Sequence, residues 1–182
     1  MKLGATGWVS GVRKIASPNC DTRPHGTAIK LLVIHNISLP PGEFGGMAVA
    51  QLFTNTLDTG SHPYYAQLKG LRVSAHFLIR RNGEIIQFVP CSKRAWHAGA
   101  SSWQGRTGCN DFSIGVELEG SDHVPFDGPQ YTALVRLTRL LQRAYPIRAI
   151  VGHADIAPGR KTDPGPCFGW PRYFAMLPRH AQ

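Results

Sequence analysis

The segment Lys30–His35 (KLLVIH) is a continuous apolar run closed by a polar residue, and it constrains the fold more than any other feature. A run this short between turn-forming stretches reads as a buried strand. Two later segments repeat the design. Phe112–Leu118 alternates apolar and polar or small residues, as a half-buried strand does, and Arg148–Gly152 is a short strand followed at once by His153. Between them, Asp127 and Pro129 suit a helix cap and first turn. Tyr131, Leu134, Val135, Thr138 and Leu141 then recur at helical spacing up to Tyr145, and Pro146 ends the run. Strands and helices alternate only in part, so the expected class is α/β, with a central mixed β-sheet flanked by helices.

The rest of the chain fits one domain of 182 residues. Residues 1–28 are polar and turn-rich and read as an N-terminal arm on a core spanning 29–178. Asn36–Gly46 is a Pro/Gly-rich loop with the composition of a lid, and Met47–Leu57 has the spacing of a short helix. Val73–Arg80 and Glu84–Pro90 flank Asn82-Gly83, a strong hairpin signal. Lys93–Asn110 reads as a long functional loop, Ala154–Gly169 as another loop, and Trp170–Leu177 as a final helix. No repeat and no composition break marks a second domain.

Composition narrows the partners. Twenty basic against 11 acidic residues leave a net charge of +9. The basic residues are dispersed and form no nucleic-acid motif, which favours a small, multiply anionic ligand over nucleic acid. No run of about 18 apolar residues exists, so no membrane span is expected. The first residues, MKLGATGWVSGVRK, lack a signal peptide's apolar stretch, and none of the four cysteines is paired at C-x-x-C spacing. A cytoplasmic protein with free, mostly buried thiols is the expectation.

Three polar residues follow strands or lie close beyond them: His35, His153 and, ten residues later, Asp163. Two imidazoles and a carboxylate suffice for a catalytic zinc with its fourth position open. With eight histidines in the chain, the spacing alone is weak evidence. A metal-bound water needs a base and an amide leaving group needs an acid. Glu117 is the candidate, on the same strand face as Ser113, Gly115 and Glu119, with Gly115 leaving open space for a substrate. Lys161, two residues before Asp163 in an extended loop, projects to the same side, where its ammonium could stabilise an oxyanion.

The stretches LLVIHNISLPPGEFGG, VSAHFLIRRNGEIIQFVP, KRAWHAGASSWQGR, CNDFSIGVELEG and GHADIAPGRKTDPGP resemble the type 2 N-acetylmuramoyl-L-alanine amidases. The similarity is strongest to their cytosolic branch, which acts on 1,6-anhydro-muropeptides, and the fold it implies is shared with peptidoglycan recognition proteins. The resemblance implies one zinc ion per chain, held by His35, His153 and Asp163, with Glu117 as acid/base and Lys161 as the transition-state lysine. It further implies that Asn36, Arg72, Trp96, His97, Arg106 and Arg160 hold the sugar and stem peptide, and it leaves His76 a structural residue. Where the family often carries a second basic residue, before the cysteine of CNDF, this chain has Gly108. The implied reaction cuts the amide between the lactyl group of 1,6-anhydro-N-acetylmuramic acid and L-alanine, in bacterial cytoplasmic peptidoglycan recycling. A monomer is expected. The rival readings are a peptidoglycan-binding module without activity and a secreted amidase acting on polymeric wall. The intact ligand set speaks against the first, and the missing signal segment against the second.

Overall fold

The structure, a computed structural model, describes residues 1–178. The last residues of the expected 1–182 domain, 179–182, lie outside that range. Among the described residues the strands are β1 Arg13–Lys14, β2 Cys20–Thr22, β3 Leu31–Ile37, β4 Phe77–Ile79, β5 Ile85–Gln87, β6 Lys93–Ala95, β7 Ser102–Trp103, β8 Arg106–Thr107, β9 Ser113–Glu119 and β10 Ala149–Gly152. The helices are α1 Ala48–Phe53, α2 Pro63–Ala66, α3 Gly128–Ala144, α4 His153–Ile156 and α5 Trp170–Met176, with a 3-10 turn at Cys109–Phe112.

Six strands form one mixed sheet in the order β1-β5-β4-β9-β3-β10. Its centre, β4-β9-β3-β10, is parallel throughout, and β5 runs antiparallel to β4. One face carries Leu32, Ile34, Ile114, Val116, Leu118, Phe77 and Ile79, packed under Leu134, Leu137 and Leu141 of α3 and Tyr173 of α5. On the other face, Leu78 and Ile86 meet α1, while Leu31 and Val33 meet Ala98, Phe112 and Ile156. The result is a single α/β domain with helices on the sheet faces, as the sequence pattern indicated.

Several local expectations need correction. All seven residues of β9 are buried, not half of them. A parallel strand between two neighbours has both faces covered, and the polar side chains of β9 face an interior that is itself polar. The 80–84 turn has only Gly83 in the left-handed region, φ 85, with Gly83 N–H bonded to Arg80 O at 2.8 Å. The expected hairpin forms, β4 pairing antiparallel with β5, and Asn82 uses its side chain to accept from Glu84 N–H at 2.9 Å. The expected helix to Leu57 stops at Phe53 because Asn55 turns left-handed, φ 62. The expected loop over 93–110 contains β6, β7 and β8; β6 pairs with β2. Two thiols, Cys91 and Cys109, are buried, and Cys20 and Cys167 are half-buried.

Candidate functional site

Strand register assembles the site. In β3 and β9, His35 pairs directly with Glu117. Gly152 pairs with Ile34, so the next residue of each chain segment brings His153 beside His35. Three adjacent parallel strands therefore deliver His153, His35 and Glu117 near their carboxyl ends, where open α/β sheets bind ligands. Asp163 arrives from the loop after α4, whose chain is tied back by the Ala154 N–H to Asp163 O bond at 2.9 Å.

His35 Nδ1, His153 Nδ1 and Asp163 Oδ2 converge: the separations are 3.0 Å between the imidazoles, 2.9 Å from His35 to Asp163 and 3.1 Å from His153 to Asp163. Ligands at about 2.0–2.1 Å from a tetrahedral ion stand about 3.3 Å apart, so this triangle fits a metal after adjustment of a few tenths of an ångström. The cluster is a candidate metal site of two nitrogens and one carboxylate oxygen. Burial pushes the His35 imidazole below its ordinary pKa, against the pull of Asp163, which favours the neutral form a ligand needs. Burial tends to raise the Asp163 carboxyl, but hydrogen bonds from His153 and His35 outweigh it and hold the group well below the usual carboxylate range.

Glu117 lies against this triangle. Burial first, and then the charge of Asp163, push its carboxyl well above the usual range, while Lys161 opposes them. Its Oε2 is buried without a hydrogen-bond partner among the described residues. A buried carboxyl with a raised pKa beside a metal cluster suits a group that exchanges a proton during turnover. Glu117 lines a cleft of about 630 Å³, together with Lys161, Asn36, Trp96, His97, Arg160 and the triad. Tyr64, Leu68, Leu71 and Val73 give it an apolar wall.

The expected substrate contacts divide into two groups. Asn36, Trp96, His97 and Arg160 line the cleft, but three of them already hold protein groups. Asn36 donates to Asp122 at 2.7 Å and to Pro164 O at 3.0 Å. Arg160 donates to the Ala98 and Ala100 carbonyls at 2.8 and 2.7 Å. His97 stands 2.9 Å from His35 Nε2. Arg72 is exposed next to the cleft-lining Leu71 and Val73, and Arg106 stacks over Phe112 at 4.1 Å, outside the lining. His76 is structural: burial and then the charge of Arg23 push it down to about 3, and its Nδ1 accepts from Gly115 N–H at 3.1 Å. Gly108 has φ 70, a left-handed backbone that suits glycine better than a basic residue. The open space expected at Gly115 does not exist; a Cβ there would lie 2.5 Å from the His97 ring. Sequence reading missed Asp122, which shares the cleft with Asn36, and Arg23, a buried arginine donating to the carbonyls of Asn110, Asp111 and Ser113. Neither carries a local pattern that would have singled it out.

A single α/β domain with a His/His/Asp cluster, a buried glutamate and a lysine in one cleft has the layout of a metal-assisted hydrolase. The family model described as N-acetylmuramoyl-L-alanine amidase matches residues 25–166, and the chain belongs to that family. The 1,6-anhydro-N-acetylmuramyl-L-alanine amidase AmpD of Escherichia coli is 55% identical over 173 residues, covering 94% of each chain. The Haemophilus influenzae protein of the same name is 52% identical over 174 residues, covering 94% of this chain and 95% of its own. A crystal structure of AmpD superposes with a TM-score of 0.95 at 54% identity, covering 98% of this chain and all of the other. Escherichia coli AmiD, solved with anhydro-N-acetylmuramic acid-L-Ala-D-gamma-Glu-L-Lys as substrate, matches with a TM-score of 0.60 at 35% identity, over 85% of this chain and 60% of that one. Among the described residues no helix is long and apolar enough to cross a membrane.

Proposed function

We propose that this chain is a zinc-dependent 1,6-anhydro-N-acetylmuramyl-L-alanine amidase of cytoplasmic peptidoglycan recycling, working as a monomeric domain with a 1–28 arm on a 29–178 core. The observation that carries the proposal is the pairing of His35 with Glu117 across β3 and β9, which sets an unpartnered buried carboxylate oxygen beside the His/His/Asp triangle. A zinc ion held by His35, His153 and Asp163 would supply an acidified water and a Lewis acid for the scissile carbonyl. Glu117 takes the proton of the attacking water and returns it to the departing alanine nitrogen; its raised pKa favours the second transfer. Lys161 offers its ammonium to the developing oxyanion. Trp96 and the apolar wall of the cleft receive the sugar; Asn36, His97 and Arg160 line the same cleft, and Arg72 and Arg106, outside its lining, offer guanidinium groups to the stem peptide. The stem's carboxylates suit planar guanidinium groups and the net charge of +9.

The test is mass spectrometry of muramyl-tripeptide with and without the 1,6-anhydro bond, incubated with metal-analysed protein and with a chelator-treated control. Tripeptide released from the anhydro form alone, and lost on chelation, is the expected result. Equal cleavage of both forms would move the role to general wall hydrolysis. An inert zinc-loaded protein would refute the assignment.

A further inference from the structure

We propose that Ser113 and His97 are positioning residues that fix which nitrogen of His35 faces the metal. This rests on the metal reading above and adds a relay behind one ligand. His35 presents Nδ1 to His153 and Asp163. A nitrogen that binds a metal must offer a lone pair, so a neutral, metal-bound His35 carries its proton on Nε2. That Nε2 has one partner among the described residues, His97 Nδ1 at 2.9 Å. His97 Nδ1 therefore accepts, and the His97 proton sits on Nε2, which lies 3.1 Å from Ser113 Oγ. The order of donation is His35 Nε2–H to His97 Nδ1, then His97 Nε2–H to Ser113 Oγ. All three side chains are buried, so water does not offer the rings an easy alternative.

The surrounding architecture is built for this relay. Ser113, Gly115 and Glu117 share one face of β9, so a single strand supplies the anchor, the gap and the acid/base. The His97 ring fills the gap at Gly115, where any side chain would collide with it. The backbone of His97 is fixed separately, through its N–H and that of Ala98 to Asn110 Oδ1 at 3.1 and 2.8 Å. His153 has a different arrangement: its Nε2 lies 3.1 Å from the Ala98 carbonyl, so backbone fixes its tautomer. Outer partners of this kind orient a ligand and raise its basicity. The relay ends on a hydroxyl, not a carboxylate, so it orients His35 without adding charge to the centre.

The experiment compares wild type with His97→Leu, His97→Gln and Ser113→Ala. Zinc affinity is read by chelator competition, and the ring tautomers of the zinc-loaded proteins by nitrogen NMR. Wild type is expected to show His35 and His97 protonated on Nε2. His97→Leu is expected to lose zinc affinity by about 10- to 100-fold, the scale for outer-shell partners. His97→Gln, which restores an acceptor, is expected to recover most of it, and Ser113→Ala, the mildest change, to fall between wild type and His97→Leu. Unchanged affinity in His97→Leu and Ser113→Ala, or His35 protonated on Nδ1 in wild type, would overturn the relay. A wild type that binds no zinc would refute the metal reading, and the relay with it.

Discussion

Replacing Gly115 with alanine adds one carbon, and the structure sets its cost. The new Cβ would lie 2.5 Å from His97 Cγ and Nδ1 and 2.7 Å from Cδ2, whereas ordinary contact begins at 3.4 Å. The ring must retreat by about 0.9 Å, or β9 must bend, and β9 is hydrogen-bonded to strands on both sides. Overpacking of a filled interior costs about 1–3 kcal/mol. A displacement of that size is large against the 2.9 and 3.1 Å contacts that His97 makes to His35 and Ser113, and a buried polar group left unpaired costs about 1–3 kcal/mol more. The expected total is about 2–6 kcal/mol, which for a chain of this size lowers Tm by roughly 4–24 °C. Thermal unfolding by circular dichroism of the zinc-free protein measures it, and chelator competition follows zinc affinity, which should also fall. A variant within about 1 °C of wild type would refute the packing argument, because the interior would then have yielded at no cost.

Three further outcomes follow from the charges. Glu117→Gln should keep zinc and lower kcat by about 10²–10⁴-fold, the usual contribution of a positioned acid/base; near-normal turnover would remove Glu117 from that role. The same variant should be more stable than wild type in the zinc-free state at pH 7. The folded state holds the Glu117 proton above its ordinary pKa of 4.5, so wild-type stability falls as pH rises from that value toward the raised one. The advantage should vanish below the ordinary pKa, and equal unfolding midpoints at pH 7 would contradict the burial argument. Lys161→Ala should lower kcat by about 10²–10³-fold, as loss of an oxyanion partner does, with metal content unchanged by elemental analysis. A change confined to KM would reassign Lys161 to ground-state binding.

What the sequence disclosed depended on range. The helix over 128–144 was legible almost to the residue, because its cap, its periodicity and Pro146 are local signals. The position of His153 just past its strand was legible, and that of His35 nearly so, although β3 runs two residues further, to Ile37. Glu117 was placed on the correct face of its strand but in the wrong environment. Alternation separates two faces, yet it does not distinguish a wet face from a polar interior, and here the second face is polar interior. Ser113 faces His97, Gly115 receives the His97 ring, and Glu119 accepts from Gly45 N–H at 2.7 Å. That last bond and the donation from Arg80 to Gly46 O tie down a loop whose composition alone resembles a lid. Arg23 was invisible because its acceptors are carbonyls more than 60 residues away.

One segment explains why the two imidazoles hold a fixed relation despite arriving on different strands. The His97 side chain braces His35, and the next residue's carbonyl, Ala98 O, braces His153. Asn110 Oδ1 accepts from both His97 N–H and Ala98 N–H, and Arg160 holds the Ala98 and Ala100 carbonyls from the other side. Asn110→Ala would leave two largely enclosed N–H groups unpaired, at about 1–3 kcal/mol each, and would loosen both braces at once. Zinc affinity should therefore fall together with stability, whereas Asn110→Asp, which keeps the acceptor oxygen, should recover most of both. If Asn110→Ala unfolds earlier yet binds zinc as tightly as wild type in chelator competition, the strands and the Asp163 loop alone set the geometry of the triangle. If both properties fall and both return with aspartate, the centre is held from behind, by the 96–100 segment, as much as by the sheet that delivers it.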